Sequence, residues 1–231
     1  MAMAPTAPAW QPHLSLKLRN ATTGVNPRDH QLAAWDRMTA HYLQEGKQAG
    51  IVVVPTGGGK TVLAAHWLLE HHIRNGGRVL WLAHRRSLLR QAMSTFHNLG
   101  NVAYPKPALH LATVSSTDAK WTTISTDHDV VFSSMQTGVL DTNLGFVEAF
   151  VKEAPSGTFV VVDEAHHAPA PSYARLLRSL KSWDCKLLGL TATPVRANDE
   201  DAKRLAALFD IERPHNRPLY QVTRRQLTDQ G

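Results

Sequence analysis

The sequence has little of what marks secreted, membrane-spanning or disulfide-rich proteins. Its 231 residues include a single cysteine, Cys185, which excludes an intramolecular disulfide and any four-cysteine zinc site. No apolar run approaches the about 20 residues of a bilayer-crossing helix, since the longest runs, 51–54 and 159–162, have the length of strands. From these absences we expect an intracellular, cytoplasmic protein with no membrane partner.

The N-terminus is rich in Ala and Pro and lacks the basic start and apolar stretch of a secretory signal. We expect residues 1–25 to be a flexible lead, residues 26–210 to form one folded domain, and residues 211–231 to be a tail or the start of a linker. A chain of this length with 43% hydrophobic residues can bury a core without a disulfide or a metal.

The charge balance is basic, with a formal net charge of +6 and a pI of about 9.7. Such a balance is compatible with a polyanionic partner, but an ordinary solvated basic surface has the same signature. Charge alone therefore leaves nucleic-acid binding open.

Strand-like and helix-like segments alternate along the chain. A capping Asn26 and a first-turn Pro27 predict a helix that Gly46 ends. The residues expected to face the core from this helix are Leu32, Trp35, Met38 and Leu43. The predicted strands are 50–54, 78–83, 109–114, 130–133, 158–163 and 186–191, and the further helices are 62–74, 87–99, 146–153 and 172–180. This rhythm predicts an α/β fold with a mostly parallel sheet and helices on both faces.

A glycine-rich turn lies between the first of these strands and the next helix. Gly57, Gly58 and Gly59 have no Cβ to obstruct a phosphate, and the helix N-terminus that follows is partly positive. Lys60 would reach the β- and γ-phosphates, and the hydroxyl of Thr61 would ligate Mg²⁺. The turn begins with Pro-Thr-Gly and so matches a variant of the strict phosphate-loop pattern.

Two adjacent carboxylates follow the strand 158–163. Asp163 and Glu164 would lie beyond the carboxyl end of a parallel sheet, where ligands of such sheets bind. Asp163 can hold Mg²⁺ through water, and Glu164 can polarise the attacking water. Lys60, Asp163 and Glu164 are therefore the candidate catalytic residues.

Thirteen histidines suggest a second kind of site. His66, Glu70, His71 and His72 lie close together on one predicted helix, but their spacing misses both common zinc-helix patterns. We interpret them as surface or sheet-facing histidines, and a metal site as the alternative.

Taken together, these motifs resemble the first motor domain of superfamily 2 helicases and translocases, near the DEAD/DEAH-box and type III restriction-subunit branch. The resemblance covers roughly residues 26–210 and implies a RecA-like P-loop NTPase fold that uses ATP and Mg²⁺. The motifs that carry it are Arg28 and Gln31, 55–61, 82–86, 133–137, Asp163-Glu164-Ala165-His166, and 190–194 followed by Arg196. It implies nucleotide contacts from Arg28, Gln31, Pro55, Thr56, Gly57, Gly58, Gly59, Lys60 and Thr61.

The resemblance also implies contacts with a nucleic-acid backbone. The residues concerned are Arg85, Arg86, Arg90, Ser133, Ser134, Gln136 and Thr137. His166, Thr191 and Thr193 would couple the state of the nucleotide to the nucleic acid. For the arginines a solvated helix face is the alternative, and Trp121, expected in a polar loop, could stack on a base although packing is the simpler interpretation. DNA is favoured over RNA because of the likeness to restriction and repair motors.

Proteins of this kind close their ATP site with a second RecA-like domain, which contributes an arginine worth about 10³ to 10⁵ in rate. From the motifs we expect no such domain within these 231 residues, and we expect Arg213, Arg217, Arg224 and Arg225 to lie in an irregular tail. We therefore expect a partner domain in cis or in trans. The competing hypotheses are a nucleotide-gated nucleic-acid-binding module without turnover of its own and a protein-interaction scaffold.

Overall fold

The computed structural model describes the backbone of residues 13–17 and residues 27–99, 108–193, 200–211 and 217–229. Its strands are β1 (His13–Lys17), β2 (Ala49–Val53), β3 (Arg78–Ala83), β4 (Ala108–Val114), β5 (Val130–Ser134), β6 (Thr158–Asp163), β7 (Lys186–Thr191) and β8 (Tyr220–Gln221). Its helices are α1 (Asp29–Thr39), α2 (Lys60–His71), α3 (Arg86–Leu99), α4 (Met135–Gly138), α5 (Asp141–Lys152), α6 (Pro171–Ser182), α7 (Glu200–Leu208) and α8 (Arg224–Asp229).

The strands form one sheet in the order β1-β4-β5-β3-β6-β7-β2-β8. Every neighbouring pair is parallel except β1 and β4, which run antiparallel. The register pairs Ala83 with Ser134, Asp163 with Leu190, and Val53 with Thr191. The carboxyl ends of β5, β3, β6, β7 and β2 therefore meet at one edge of the sheet, where ligands of parallel sheets bind.

Both faces of the sheet are covered by helices, so its central strands are buried on both sides. Helices α1, α2 and α3 pack on one face around aromatic residues such as Trp67 and Phe159, whose ring centroids are 5.5 Å apart. Helices α5, α6 and α7 cover the other face, around Phe150, Leu177 and Phe209. The predicted fold class, a mostly parallel sheet between two helical layers, is confirmed. Over the described ranges no helix is long and apolar enough to cross a bilayer.

The predicted strands agree with the observed ones to within one residue at each end, but other elements were not predicted. Helix α5 begins five residues before the predicted 146. Strand β1 lies inside the segment 1–25 that was expected to be a flexible lead, and it extends the sheet at its β4 edge. The rest of that segment, Arg196 and Arg213 lie outside the described residues.

The prediction of an irregular C-terminal tail is wrong for residues 220–229. Strand β8 pairs with β2, and α8 begins three residues after it, at Arg224. Arg224 and Arg225 therefore follow a strand of the main sheet. The pattern was missed because β8 has two residues, too few to show a period of alternation.

The first helix is also rotated relative to its prediction. Met38 is buried and Trp35 is half-buried, but Leu32 and Leu43 are 44% and 45% exposed. A π-helical turn, Ala40–Gln44, follows α1 and shifts the buried position from Leu43 to Tyr42.

Candidate active site

The phosphate loop connects β2 to α2 in a conformation that only glycine adopts easily. Gly59 has a φ of +77° and is the N-cap of α2. At Gly58 a Cβ would lie 2.6 Å from Val54 Cγ1 and 3.0 Å from the Pro55 carbonyl oxygen, which accepts a hydrogen bond from the Gly58 N–H at 2.9 Å. The loop therefore has a fixed shape in which side chains at these positions are excluded.

The N-terminus of α2 is open to a ligand. The N–H groups of its first turn, which begins with Lys60 and Thr61, have no acceptor inside the helix. No side chain caps the helix either, so these groups remain available to a ligand. The helix dipole adds partial positive charge at the same place. The Lys60 side chain is 10% exposed and adds a full charge. The arrangement suits a polyphosphate.

The two candidate catalytic acids lie across the sheet edge from this loop. Asp163 is the last residue of β6 and is 5% exposed, and one of its oxygens accepts a hydrogen bond from the Glu164 N–H at 3.0 Å. Lys60 Nζ lies 3.5 Å from Glu164 Oε1. Glu164 has a left-handed backbone with φ +53°, a costly conformation for a non-glycine residue and one that is found repeatedly at functional sites.

The electrostatics of this pair favour a bound cation. Burial raises the pKa of Asp163 to about 6, the charge of Glu164 adds to the rise, and Lys60 opposes it. A buried carboxylate beside a second acid is stabilised by a cation, and hard oxygen donors suit Mg²⁺. The half-buried Thr61 hydroxyl, on the first turn of α2, is the second candidate ligand. The residues present therefore fit Mg²⁺.

The residues predicted to couple nucleotide and nucleic acid lie around the same acid. His166 Nδ1 is 3.4 Å from Glu164 Oε2 and 3.2 Å from Thr191 Oγ1. Thr191 is fully buried at the end of β7, and its hydroxyl accepts a hydrogen bond from the Thr193 N–H at 3.1 Å. The structure thus joins the loop after β7 to Glu164 through His166.

The predicted adenine-side residues, Arg28 and Gln31, lie beside the phosphate loop. Gln31 is buried, its Oε1 accepts a hydrogen bond from the Arg28 N–H at 3.0 Å, and its Nε2 lies 2.9 Å from where a Cβ on Gly59 would be. His30 Nε2 is 2.9 Å from the Gly58 carbonyl oxygen. Sequence reasoning missed His30, because only the rotation of α1 turns it towards the loop.

The predicted nucleic-acid residues differ in what they can offer. Arg85, Arg86 and Arg90 are exposed at the start of α3, and Arg86 Nη2 lies 3.2 Å from the Asp118 carboxylate. Asp118 was not predicted, since it comes from a loop 32 residues away along the chain. Its charge offsets that of Arg86.

The hydroxyls at the end of β5 and in α4 are used mostly inside the protein. Ser133 is fully buried, and Ser134 caps α4 by accepting a hydrogen bond from the Thr137 N–H at 3.1 Å. Gln136 is exposed, and its Nε2 lies 3.4 Å from the His84 carbonyl oxygen. Gln136 and Thr137 are therefore the members of this set that a phosphate can reach.

Burial bears on two alternatives from the sequence. Trp121 is 1% exposed and packs near Phe150, so the alternative that it stacks on a base is wrong. His72 is buried, its Nε2 lies 3.0 Å from the Arg78 carbonyl oxygen, and burial lowers its pKa to about 4. Among the described residues no group of three or more His, Cys, Asp or Glu side chains could hold a metal ion.

The C-terminal segment, residues 220–229, packs directly on the phosphate loop. The Val222 N–H donates a hydrogen bond to the Val53 carbonyl oxygen at 3.1 Å, and Leu227 Cδ1 lies 3.0 Å from where a Cβ on Gly58 would be. A cavity of about 250 Å³ lies between Thr56, Ala192 and Arg224. The segment is thus one wall of the space beside the loop.

Residues 24–196 match the family model of the type III restriction enzyme res subunit. The chain belongs to this family. Two curated proteins are similar to this chain in sequence. The protein named "Putative ATP-dependent helicase IRC3" from Saccharomyces cerevisiae is 29% identical over 79% of this chain and 25% of its own length. "Putative helicase 22" from Sulfolobus islandicus filamentous virus is 26% identical over 68% of the chain and 26% of its own length. The chain therefore spans about a quarter of the length of these relatives.

Solved structures with the same fold are the Hef helicase domain of Pyrococcus furiosus and the SWI2/SNF2 ATPase core of Sulfolobus solfataricus in complex with dsDNA. The first has a TM-score of 0.62 at 22% identity and covers 85% of this chain and 38% of its own. The second has a TM-score of 0.56 at 16% identity, with 84% and 37% covered. This res-subunit family member therefore has the RecA-like fold of superfamily 2 helicase ATPase domains, and the resemblance found in its sequence is confirmed.

Proposed function

We propose that this chain is the first RecA-like motor domain of an ATP-dependent helicase or DNA translocase, and that it binds Mg·ATP and a nucleic-acid backbone. The observation that carries the proposal is the convergence of Lys60 and Glu164, 3.5 Å apart, with the buried Asp163 beside them. Turnover belongs to this domain together with a second RecA-like domain, in cis or in trans.

In this proposal ATP is the substrate and the phosphate loop holds its phosphates. Lys60 and the first turn of α2 stabilise the negative charge of the β- and γ-phosphates. Arg28 and Gln31, beside the loop on α1, contact the adenine. The position of Gln31 against Gly59 supports this assignment, because it places a side-chain amide directly beside the phosphate loop.

Glu164 is the proposed general base. It accepts a proton from a water whose oxygen attacks the γ-phosphorus, while the bond to the bridging oxygen breaks and ADP leaves with the electron pair. His166 lies 3.4 Å from the second carboxylate oxygen of Glu164, and Thr191 in turn contacts His166, so this pair helps to orient the base. Asp163 and Thr61 are the residues that would hold Mg²⁺, which when bound neutralises charge on the β- and γ-phosphate oxygens.

The proposed nucleic-acid contacts lie at the same sheet edge. Arg85, Arg90, Gln136 and Thr137 offer charge and hydrogen bonds to phosphates without reading bases. DNA is favoured, and the structural neighbour in complex with dsDNA supports that choice. An arginine from the second domain would then stabilise the transition state, with an effect of about 10³ to 10⁵ on the rate.

The test is phosphate release from Mg·ATP by the full-length protein, with and without single- and double-stranded DNA and RNA. Glu164→Gln is expected to lower stimulated turnover by about 10²-fold or more while a fluorescent ATP analogue still binds, because the general base is lost but the phosphate contacts remain. Lys60→Ala is expected to weaken nucleotide binding by about tenfold or more and to lose turnover.

The matched controls are Glu148→Gln and Lys152→Ala, which change the same residue types in an exposed ion pair on α5. Both should behave like the wild type. Binding without turnover under every condition would favour the nucleotide-gated binding module. Stimulated turnover that survives both active-site substitutions would refute the proposal.

A further inference from the structure

Three histidine rings stand in contact at the carboxyl edge of the sheet. The ring centroids of His84 and His167 are 4.3 Å apart, and those of His167 and His166 are 4.1 Å apart. His84 follows the last residue of β3, and His166 and His167 belong to the short turn Ala165–His167 after β6. We call these three residues the histidine stack.

The two ends of the histidine stack lie in different candidate sites. At one end His166 Nδ1 is 3.4 Å from the Glu164 carboxylate. At the other end His84 directly precedes Arg85, and its carbonyl oxygen is 3.4 Å from Gln136 Nε2. His167 touches both neighbours, so it is the middle of a continuous line of contacts.

The contacts of His166 with Glu164 and Thr191 explain its place in the stack, but side-chain hydrogen bonds do not explain the places of His84 and His167. His84 Nδ1 is buried and has no hydrogen-bond partner in the described part of the chain. His167 is exposed, and its backbone N–H donates a hydrogen bond to the Glu164 carbonyl oxygen at 3.0 Å. Exposed aromatic residues contribute little to a core, so stability alone does not explain the placement of His167.

We propose that His167 is a positioning residue that transmits nucleic-acid binding at the segment 84–86 to the carboxylate of Glu164, by its ring contacts with His84 and His166. The proposal rests on the function proposed above and deepens it. Packed side chains move together rather than compress, so a shift of His84 when a phosphate docks displaces His167 and then His166. Glu164 thereby takes a new orientation when nucleic acid is present.

Coupling of this kind has a reciprocal consequence. If nucleic acid changes the affinity for nucleotide, nucleotide must change the affinity for nucleic acid by the same factor. Removal of the middle ring should therefore weaken both effects together. Typical coupling between two sites corresponds to a factor of about 5 to 150, which sets the size of the expected loss.

The experiment compares the full-length wild type with His167→Ala, His84→Ala, the double variant and His167→Phe. The readouts are phosphate release with and without double-stranded DNA, and DNA affinity with and without a non-hydrolysable ATP analogue. We expect His167→Ala to keep unstimulated hydrolysis within about 2-fold while DNA stimulation falls by about 5-fold or more. The double variant should lose no more than either single variant, because both substitutions break the same line of contacts.

His167→Phe keeps a ring of similar shape and should restore most of the stimulation. The control is His97→Ala, which removes a histidine from the far end of α3 and should change nothing. Urea unfolding of each variant separates a coupling effect from a loss of folding.

Wild-type stimulation in His167→Ala would overturn the proposal, as would equal loss of basal and stimulated turnover. A His167→Phe variant as impaired as His167→Ala would overturn transmission by ring contact. If the wild type showed no ATP hydrolysis and no nucleotide binding, the function proposed above would fail first and this inference with it.

Discussion

The surroundings of Asp163 disfavour the charged form of its carboxyl group. Burial and Glu164 raise its pKa to about 6, so the folded protein holds this proton over a range in which the unfolded chain has released it. The stability associated with Asp163 is therefore greatest at low pH and is lost as pH rises from about 4 through about 6. The proposed role of Asp163 as a ligand of Mg²⁺ would account for a carboxylate in this unfavourable place.

Asp163→Asn should therefore stabilise the protein in the absence of Mg·ATP. At about pH 8 the free energy of unfolding should rise by on the order of 1–3 kcal/mol, and the gain should shrink towards about pH 4. Urea titrations of both proteins across this range measure the difference in their free energies of unfolding. The pKa of His72 is lowered to about 4, so its contribution to stability falls as pH falls, but it is the same in both proteins and cancels in the difference. A variant that is less stable at every pH would contradict this explanation.

Substitutions of the arginines at the start of α3 should differ in their effect on nucleic-acid binding. Arg85→Ala should reduce the slope of log affinity against log salt by about 1, as expected for the loss of one phosphate contact. Arg86→Ala should have a smaller effect, because the Asp118 carboxylate already offsets the Arg86 charge at 3.2 Å.

Filter binding or fluorescence anisotropy over a salt series measures both slopes. Arg74→Ala is the control, since Arg74 precedes β3 at the opposite edge of the sheet and pairs with Glu70. Equal slopes for all three variants would show that this end of α3 does not contact phosphates.

At the scale of elements, the local sequence pattern predicted the strands well but predicted the buried face of the first helix poorly. The β-branched runs of β2 and β6 indicate buried parallel strands, because a strand covered by helices on both sides is apolar on both faces and β-branched residues favour strands. The buried face of α1 was predicted incorrectly: the helix turns His30 and Gln31 towards the phosphate loop and leaves Leu32 exposed. In this orientation His30 contacts Gly58, which lies 28 residues further along the chain, and the hydrophobic periodicity of α1 contains no information about that contact.

The contact of α8 with the phosphate loop is an element-scale feature that carries its own prediction. Leu227 is partly buried against the core and reaches Gly58, so Leu227→Ala should lower the free energy of unfolding by about 1–2 kcal/mol and weaken ATP binding several-fold. Urea unfolding and titration of a fluorescent ATP analogue measure the two effects. Leu140→Ala, at a leucine that is 52% exposed, should change neither.

A Leu227→Ala variant that is destabilised but binds ATP normally would mean that α8 supports the core without shaping the loop. The opposite result, weaker binding at unchanged stability, would assign α8 to the nucleotide site alone.

At the scale of the whole molecule, the sequence predicted which residues meet and the fold explains why. Lys60 and Glu164 are over a hundred positions apart, yet each follows a strand of one parallel sheet, so both must emerge at its carboxyl edge. Asp118, His30 and Leu227 could not be predicted in the same way. They reach the site by side-chain contacts between loops and helices, and no motif or spacing in the sequence records such contacts.

The most direct measurement is calorimetric titration of Mg·ATP into the 231-residue chain and its Lys60→Ala variant, with and without EDTA. We expect one nucleotide bound per chain, with affinity reduced by about tenfold or more when Lys60 is replaced or Mg²⁺ is removed. The phosphates then lose the single positive charge of Lys60 or the two positive charges of Mg²⁺. Absence of binding, or equal binding by the Lys60→Ala variant, would contradict the assignment of the loop 55–61 as the site of Mg·ATP.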